Sequence, residues 1–318
     1  MALAKPYYNN IGLMDIFDIY ILGCGSAIPS CRHNPACQVV DIHSWLYMID
    51  CGEGSQIQFR KAGLSFARLR GIFISHLHGD HCFGLMGLLS TLSLQKRTAP
   101  IEIYGPQGIV DYFVPQLKFY SGAITFPVNL HVVPTEESVC ILEEKSFKVT
   151  TIPLRHRVPC CGYRFDEAQP LPHILPDMID FYKIPHYAIR DIKEGADWIT
   201  AEGEVIPHMR LVRPARSPRS YAYCSDTGFC PENAPLLRNL SLLYHEATYA
   251  TTEEEHAHQV GHSTASEAGR MAKLAEAKQL LLGHFSTRYD DDKLLLNEAR
   301  QVFPEAILAN EGMHIALK

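Results

Sequence analysis

A run of histidine and aspartate residues in the first third of the chain is suited to metal chemistry. The letters HLHGDH, residues 76–81, directly follow an apolar segment, 71–74, that is typical of a β-strand. Imidazole and carboxylate groups are good ligands for divalent transition metals. Because alternate residues of an extended segment point the same way, His76 and His78 can bind one ion, while Asp80 and His81 face a second. The spacing favours a metal site over a merely solvated histidine cluster.

Three further candidate ligands lie just beyond predicted strands. His156, Asp226 and His284 follow the apolar segments 147–152, 221–224 and 279–282. Open α/β sheets place their sites beyond the carboxyl ends of strands. We therefore expect these three residues to converge with the first motif on one metal pair.

The elements that must position these residues alternate along the chain. Apolar periodicity predicts strands at 16–22, 45–49, 71–74, 101–104, 130–133, 147–152 and 221–224. It predicts helices at 83–94, 108–120, 264–277 and 291–303, the third beginning with a capping box of Thr264 and Glu267. This alternation in both halves favours an α/β fold with two sheets covered by helices.

Composition restricts the class of protein. The 318 residues are 47% hydrophobic and 20% charged, a composition that excludes a disordered chain, collagen and a coiled coil. The net charge of −6 argues against a histone-like, charge-driven nucleic-acid binder but leaves a local basic patch open. The sequence contains neither a secretory signal pattern nor an apolar stretch long enough to cross a bilayer. We therefore expect no membrane association and a cytoplasmic protein whose ten cysteines are reduced.

A proline-rich excursion at about 168–219 interrupts the alternation. Within it, arginines recur at every third position, which in a polyproline II conformation would place them on one edge: Arg210, Arg213, Arg216 and Arg219. Such a strip could bind the phosphates of a substrate. The alternative is a solvated linker.

Several motifs resemble one branch of the metallo-β-lactamase superfamily, the ribonuclease Z family. They are LGCGSAIP (22–29), DCGEG (50–54), residues 74–89 ending in GLMGLL, YGP (104–106), HEAT (245–248), GHSTA (261–265) and HFSTRY (284–289). The resemblance extends from about residue 18 to 318 outside the excursion. It implies an αββα sandwich of two mixed sheets covered by helices, forming a single domain over 1–318. The excursion would be an altered substrate arm, since 168–201 lacks the family's Gly-Pro-rich tip.

The resemblance also assigns roles within the site. It implies that one zinc ion is bound by His76, His78 and His156, that a second is bound by Asp80, His81 and His284, and that Asp226 bridges them. Asp80 would also orient the nucleophile. Glu246 and His262 would form a proton shuttle, with His262 protonating the departing ribose oxygen. Manganese or iron are alternatives to zinc, because ligands alone do not distinguish these metals.

The implied activity is cleavage of precursor tRNA 3′ trailers by hydroxide that two metal ions activate, carried out by a homodimer. One alternative is a hydrolase of the same fold that acts on small phosphodiesters or other esters, which the net acidity and altered arm favour. Another is a catalytically idle scaffold that binds nucleic acid or protein. The complete ligand set argues against this last alternative.

Overall fold

The computed structural model of the chain describes residues 16–28 and 30–318, so that Pro29, the last residue of the first family motif, lies outside the described residues. The chain divides into two compact units. The first contains the described residues up to Glu143, together with Val149–Phe165 and Arg219–Lys318. The second contains Glu144–Lys148 and Asp166–Pro218. The organisation of residues 1–318 as a single domain stays a prediction.

Strands and helices are numbered in chain order. The strands are β1 (Phe17–Gly23), β2 (Cys37–Ile42), β3 (Trp45–Ile49), β4 (Leu69–Phe73), β5 (Ile101–Gly105), β6 (Val128–Val132), β7 (Cys140–Glu143), β8 (Phe147–Pro153), β9 (Cys161–Glu167), β10 (His173–Ile174), β11 (Trp198–Ile199), β12 (Val205–Ile206), β13 (Val212–Arg213), β14 (Ser220–Cys224), β15 (Leu242–Glu246), β16 (Leu280–Gly283), β17 (Ala306–Leu308) and β18 (His314–Ala316). The α-helices are α1 (Ser55–Lys61), α2 (Gly79–Cys82), α3 (Leu85–Leu94), α4 (Ile109–Phe119), α5 (Pro176–Phe181), α6 (Ile189–Lys193), α7 (His208–Leu211), α8 (Glu254–Val260), α9 (Ala265–Leu274) and α10 (Lys293–Val302).

Two seven-stranded sheets carry the fold. The order of the first is β18-β1-β2-β3-β4-β5-β6, antiparallel from β18 to β3 and parallel from β3 to β6. The order of the second is β17-β16-β15-β14-β9-β8-β7, in which β14 to β17 are parallel. The prediction of two mixed sheets with helices is therefore confirmed.

Aromatic side chains join the two sheets. The ring of Phe73 on β4 lies 5.1 Å from the ring of Tyr163 and 5.5 Å from that of Phe165, both on β9. On the other face of the first sheet, α1, α3 and α4 contribute Phe59, Leu88 and Phe113 to a buried apolar cluster. Helices α9 and α10 pack together, and α9 also packs on β15 and β16. The layers are thus helix, sheet, sheet and helix.

The four predicted helices are observed, with bounds that differ from the predictions by up to three residues. The capping box is confirmed, since Thr264 Oγ1 accepts a hydrogen bond from Glu267 N at 3.2 Å, and Glu267 Oε2 accepts one from Thr264 N at 2.9 Å. The predicted helix 83–94 is observed as α3 and begins at Leu85, because a turn at Phe83 and Gly84 separates it from α2. A Cβ at Gly84 would lie 2.0 Å from the carbonyl oxygen of Gly52, so glycine permits this close approach to the loop after β3.

The proline-rich excursion has a small core of its own in the second unit. Its strands pair as β10 with β13 and β11 with β12, and its buried apolar residues are Ile184, Ala188, Ile192, Ile206, Leu211 and Val212. The predicted polyproline II strip is wrong in conformation. Because Leu211 and Val212 are buried in this core, the chain forms α7 and then β13 where the strip would begin.

None of the helices in the described part of the chain is long and apolar enough to span a membrane.

Candidate metal centre

The ends of parallel strands position the candidate ligands. Asp50 and His76 follow β3 and β4, which run parallel with Ile49 opposite Phe73. In the second sheet, Asp226 follows β14 and His284 follows β16, and between them lies β15, which ends at Glu246. The carboxyl ends of adjacent parallel strands lie at the same sheet edge, so these polar side chains meet there.

The first donor set contains His76, His78, His156 and Asp226, whose ligand atoms all lie within 4.8 Å of one another. His78 Nδ1 lies 3.0 Å from His76 Nε2 and 3.3 Å from His156 Nε2. Zn–N bonds of about 2.0–2.1 Å in a tetrahedron separate two nitrogens by about 3.3 Å. The three imidazoles therefore have the spacing that a small divalent cation requires.

The second donor set contains Asp80, His81 and His284. Asp80 Oδ2 lies 3.3 Å from His81 Nε2 and 3.6 Å from His284 Nε2. Both Nε2 atoms are buried, and neither has a hydrogen-bond partner among the described residues. A buried polar atom without a partner is costly, and a bound cation would satisfy both nitrogens at once.

Asp226 lies between the two sets. Its Oδ2 faces the first set, at 3.6 Å from His76 Nε2 and 3.9 Å from His156 Nε2. Its Oδ1 faces the second set, at 3.4 Å from His81 Nε2 and 3.1 Å from His284 Nε2. One carboxylate thus presents a different oxygen to each donor set, which is the arrangement of a bridging ligand.

Hydrogen bonds at the opposite ring nitrogens orient the imidazoles. Nδ1 of His81 donates to Asp50 Oδ2 at 2.7 Å, and Nδ1 of His156 donates to the carbonyl oxygen of Gly261 at 2.8 Å. Nδ1 of His284 lies 2.8 Å from Thr248 Oγ1, whose own proton is donated to Glu246. With Nδ1 protonated in each ring, the Nε2 lone pair is directed at the donor sets.

The charge distribution also suits a cation. Burial alone would lower the pKa of His81, but Asp226, Asp50 and Asp80 together raise it well above its usual value. Burial would likewise raise the pKa of Asp80, yet His81 and His284 hold it far below its usual range, so the carboxylate is ionised. The surrounding carboxylates therefore stabilise positive charge at the place where the ligand atoms converge, and the donor sets fit a metal.

Beside the donor sets lies the pair Glu246 and His262. His262 Nδ1 donates to Glu246 Oε1 at 2.8 Å, and the His262 ring centroid lies 5.0 Å from that of His156 and 5.5 Å from that of His284. Burial lowers the pKa of His262, but the charge and hydrogen bond of Glu246 outweigh it and raise the pKa to about 9. A protonated imidazole next to a metal centre can donate a proton.

A cavity of about 650 Å³ gives access to the centre. Its lining includes His78, Asp80, Asp226, His262 and His284. The structure thus brings together the seven predicted ligands and the predicted shuttle pair around one opening.

Asp50 and Thr248 belong to the centre, although the sequence motifs predicted no role for either residue. Asp50 is fully buried and accepts hydrogen bonds from His81, Ser75 and Tyr223. Thr248 connects Glu246 to His284. Both belong to motifs that carry the family resemblance, DCGEG and HEAT, so a signal was present. Asp50 and His284 also adopt positive φ angles of 56° and 60°, a backbone conformation that is uncommon for non-glycine residues.

The four arginines of the excursion do not share one environment. Arg219 is buried and donates to the carbonyl oxygen of Leu317 at 3.2 Å. Arg216 forms a bidentate ion pair with Glu167, at 2.5 and 2.7 Å. Arg210 and Arg213 are exposed.

The fold and the donor sets define a metal-dependent hydrolase of the metallo-β-lactamase fold. The metallo-β-lactamase fold protein YhfI of Bacillus subtilis, 19% identical, superposes with a TM-score of 0.68 over 95% of this chain and 100% of its own. The short form of human tRNase Z, 29% identical, superposes with a TM-score of 0.70 over 95% of this chain and 99% of its own.

Sequence comparison identifies the family. Ribonuclease Z of Bacteroides thetaiotaomicron is 51% identical over 304 residues, 96% of this chain and 96% of its own length. Ribonuclease Z of Parabacteroides distasonis is 48% identical over 302 residues, 95% of this chain and 99% of its own. A family model described as "Anti-Pycsar protein Apyc1" matches residues 17–118. The chain belongs to the ribonuclease Z family, which confirms the resemblance drawn from its motifs.

Proposed function

We propose that this protein is an endoribonuclease that removes 3′ trailers from precursor tRNA. The observation that carries the proposal is the position of Asp226, with one oxygen toward each of two histidine-rich donor sets. The names ribonuclease Z and tRNase Z of its relatives supply the substrate class. Hydrolysis breaks the bond between phosphorus and the ribose 3′ oxygen, leaving a 3′-hydroxyl on the tRNA and a 5′-phosphate on the trailer.

We assign two metal ions to the centre, one to each donor set, with zinc as the metal. Nitrogen and carboxylate oxygen donors at tetrahedral spacing suit zinc, and the same donors accept manganese or iron. When bound, two such ions polarise the phosphodiester and lower the pKa of water. Elemental analysis of protein purified without chelators should give about two equivalents of zinc per chain.

Asp80, His262 and Glu246 position the water and transfer the proton. Asp80, which is ionised and lines the cavity, orients the attacking water and accepts a hydrogen bond from it. His262 donates its proton to the departing 3′ oxygen, which would otherwise leave as an unstable alkoxide. Glu246 holds His262 in position and keeps it protonated.

RNA contacts outside the cavity are assigned to Arg210 and Arg213. Both are exposed on the second unit, and guanidinium groups bind phosphates in bidentate fashion. Arg216 and Arg219 belonged to the same predicted strip. Their bonds to Glu167 and Leu317 support structural roles for them.

A homodimer and a cytoplasmic location complete the proposal. The dimer rests on the family resemblance, and light scattering after gel filtration should give twice the 35.8 kDa mass of the chain. The location is supported by the ten cysteines, none of which forms a disulfide in the structure.

Cleavage of a transcript tests the function. A precursor tRNA with a 3′ trailer should be shortened by the metal-loaded wild type, while the same tRNA without a trailer should keep its length. If folded, metal-loaded protein hydrolyses bis(p-nitrophenyl) phosphate but leaves the transcript intact, the tRNA substrate is wrong and a small-diester hydrolase takes its place.

A further inference from the structure

A second cavity, of about 410 Å³, adjoins the catalytic cavity. Its lining includes Arg155, Arg157, Phe229 and Gly261. Arg157 also lines the catalytic cavity. Both cavities belong to the first unit, and Arg157 is the cation they share.

Arg157 differs from its basic neighbours in lacking a counter-ion among the described residues. Arg155 forms an ion pair with Glu232 at 2.6 Å, and Arg288, which also lines the catalytic cavity, is paired with Glu253. Within the described part of the chain, no carboxylate lies within 4.0 Å of Arg157, and its side chain is exposed. Its charge is therefore available to a ligand.

The backbone around Arg157 is held firmly against the metal centre. The preceding residue, His156, is a proposed metal ligand, and its Nδ1 donates to Gly261 at 2.8 Å. Gly261 has a φ of +76°, and a Cβ there would lie 3.1 Å from His156 Nδ1 and 3.6 Å from the amide nitrogen of Arg157. The position of Arg157 is thus coupled to the position of the centre.

Arg157 lies beside the reacting groups. It lines the catalytic cavity together with His78 and His262, and the ring of the preceding residue, His156, lies 5.0 Å from the rings of both. A polyanion bound in this cavity therefore lies within reach of Arg157. An RNA phosphate is such a ligand, and a single counter-charge matters more in a protein whose net charge is −6.

We propose that Arg157 and the adjoining cavity bind the nucleotide next to the scissile phosphate. Arg157 contacts the phosphate of that nucleotide, and the ring of Phe229 lines the space for its base. This inference rests on the proposed function and specifies which part of the RNA the centre holds. It predicts a contact that a small diester cannot make, since such a molecule has no neighbouring phosphate.

Kinetics of Arg157→Gln on two substrates test the inference. We expect kcat/KM for precursor tRNA to fall about 10- to 100-fold, and the fall with bis(p-nitrophenyl) phosphate to be at least tenfold smaller. The dependence of log K for RNA binding on log salt should flatten by about 0.7–0.9. Arg157→Lys, which keeps the charge, should recover part of the loss. The matched control Arg238→Gln removes an exposed arginine paired with Glu276, away from both cavities, and should behave as wild type.

Substrates with one neutral methylphosphonate linkage then locate the contact. Two substrates are compared, one with the neutral linkage at the phosphate on the 5′ side of the scissile bond and one with it on the 3′ side. At the phosphate that Arg157 contacts, the neutral linkage should slow the wild type but should cause no further loss in Arg157→Gln. Additive losses at both positions, or an Arg157→Gln variant that cleaves like Arg238→Gln, would overturn the inference. If wild type leaves the transcript uncut while hydrolysing the small diester, the proposed function fails instead.

Discussion

His262 Nδ1 donates a hydrogen bond to Glu246 Oε1 over 2.8 Å, and the Glu246 side chain is fully buried. Three other donors saturate the carboxylate: the amide nitrogen of Thr227 at 2.9 Å, that of Thr248 at 3.1 Å and Thr248 Oγ1 at 2.6 Å. Burial alone would raise the pKa of Glu246, yet His262 holds it below its usual value. The buried anion fixes one tautomer and one orientation of the imidazole.

This pairing separates proton transfer from metal binding. In His262→Ala, we expect kcat for precursor tRNA to fall by about 10²–10⁴-fold, the usual contribution of general acid–base catalysis, with little change in metal content. Glu246→Gln should cause a smaller fall, because the imidazole remains but is less firmly protonated. Elemental analysis alongside single-turnover kinetics makes the measurement. A His262→Ala protein that loses as much metal as a ligand variant would contradict the role.

Ligand variants should behave in the opposite way. Asp80→Ala removes a donor from the second set, so we expect loss of activity together with at least one metal equivalent. Asp226→Asn should be more severe, because this side chain serves both sets. The thermal midpoint provides a readout that is independent of activity. Added zinc should raise it less in either variant than in wild type. Equal zinc stabilisation in all three proteins would refute the ligand assignment.

The convergence of the proposed ligands was predictable because their signals are local. The spacing HLHGDH brings four ligands together within one loop and helix turn, and the other three follow apolar segments that became β8, β14 and β16. Neither Asp50 nor Thr248 could be placed in this way. Their roles depend on contacts with His81 and His284, and those contacts arise only when strands from distant parts of the chain pair in register.

The arginine strip illustrates a different limit of sequence reasoning. A spacing of three residues suits polyproline II, but the conformation was decided by the burial of Leu211 and Val212 in the core of the second unit. The burial of Arg219 was not predicted either. The segment 221–224 does indicate a strand, but Arg219 contacts the carbonyl oxygen of Leu317, a residue far away in the sequence.

A further prediction concerns Arg210 and Arg213, the two exposed arginines of the excursion. Replacing Arg210 and Arg213 with Ala should weaken binding of precursor tRNA and reduce the salt dependence by about 0.7–0.9 per lost phosphate contact. Hydrolysis of bis(p-nitrophenyl) phosphate should not change. Arg190→Ala is a suitable control, since Arg190 is exposed on the same unit but paired with Glu194. An unchanged salt slope in the double variant would make the segment a linker.

His33 provides a pH-dependent contribution to stability. Its Nε2 donates to Asp292 at 2.9 Å and its Nδ1 to Glu311 at 3.0 Å, and these hydrogen bonds raise its pKa from 6.5 to about 9. Because the folded pKa is the higher one, the contribution is complete below about pH 6.5 and is lost as the pH rises through about 9.

Replacing His33 with Gln should therefore lower the free energy of unfolding by about 1–3 kcal/mol at pH 6.5. Urea titrations of wild type and His33→Gln at pH 6.5, 8 and 9.5 should show this difference shrinking as the pH rises. A difference that stays constant over this range would mean that His33 contributes through packing alone.

The most direct test of the whole account is to map the ends of RNA fragments before and after metal reconstitution. Wild type stripped by a chelator should leave a precursor tRNA uncut. After addition of two equivalents of zinc, it should release the trailer with a 5′-phosphate and leave a 3′-hydroxyl on the tRNA. Folded protein that holds both equivalents and leaves the RNA uncut, or that produces a 3′-phosphate, would contradict the account.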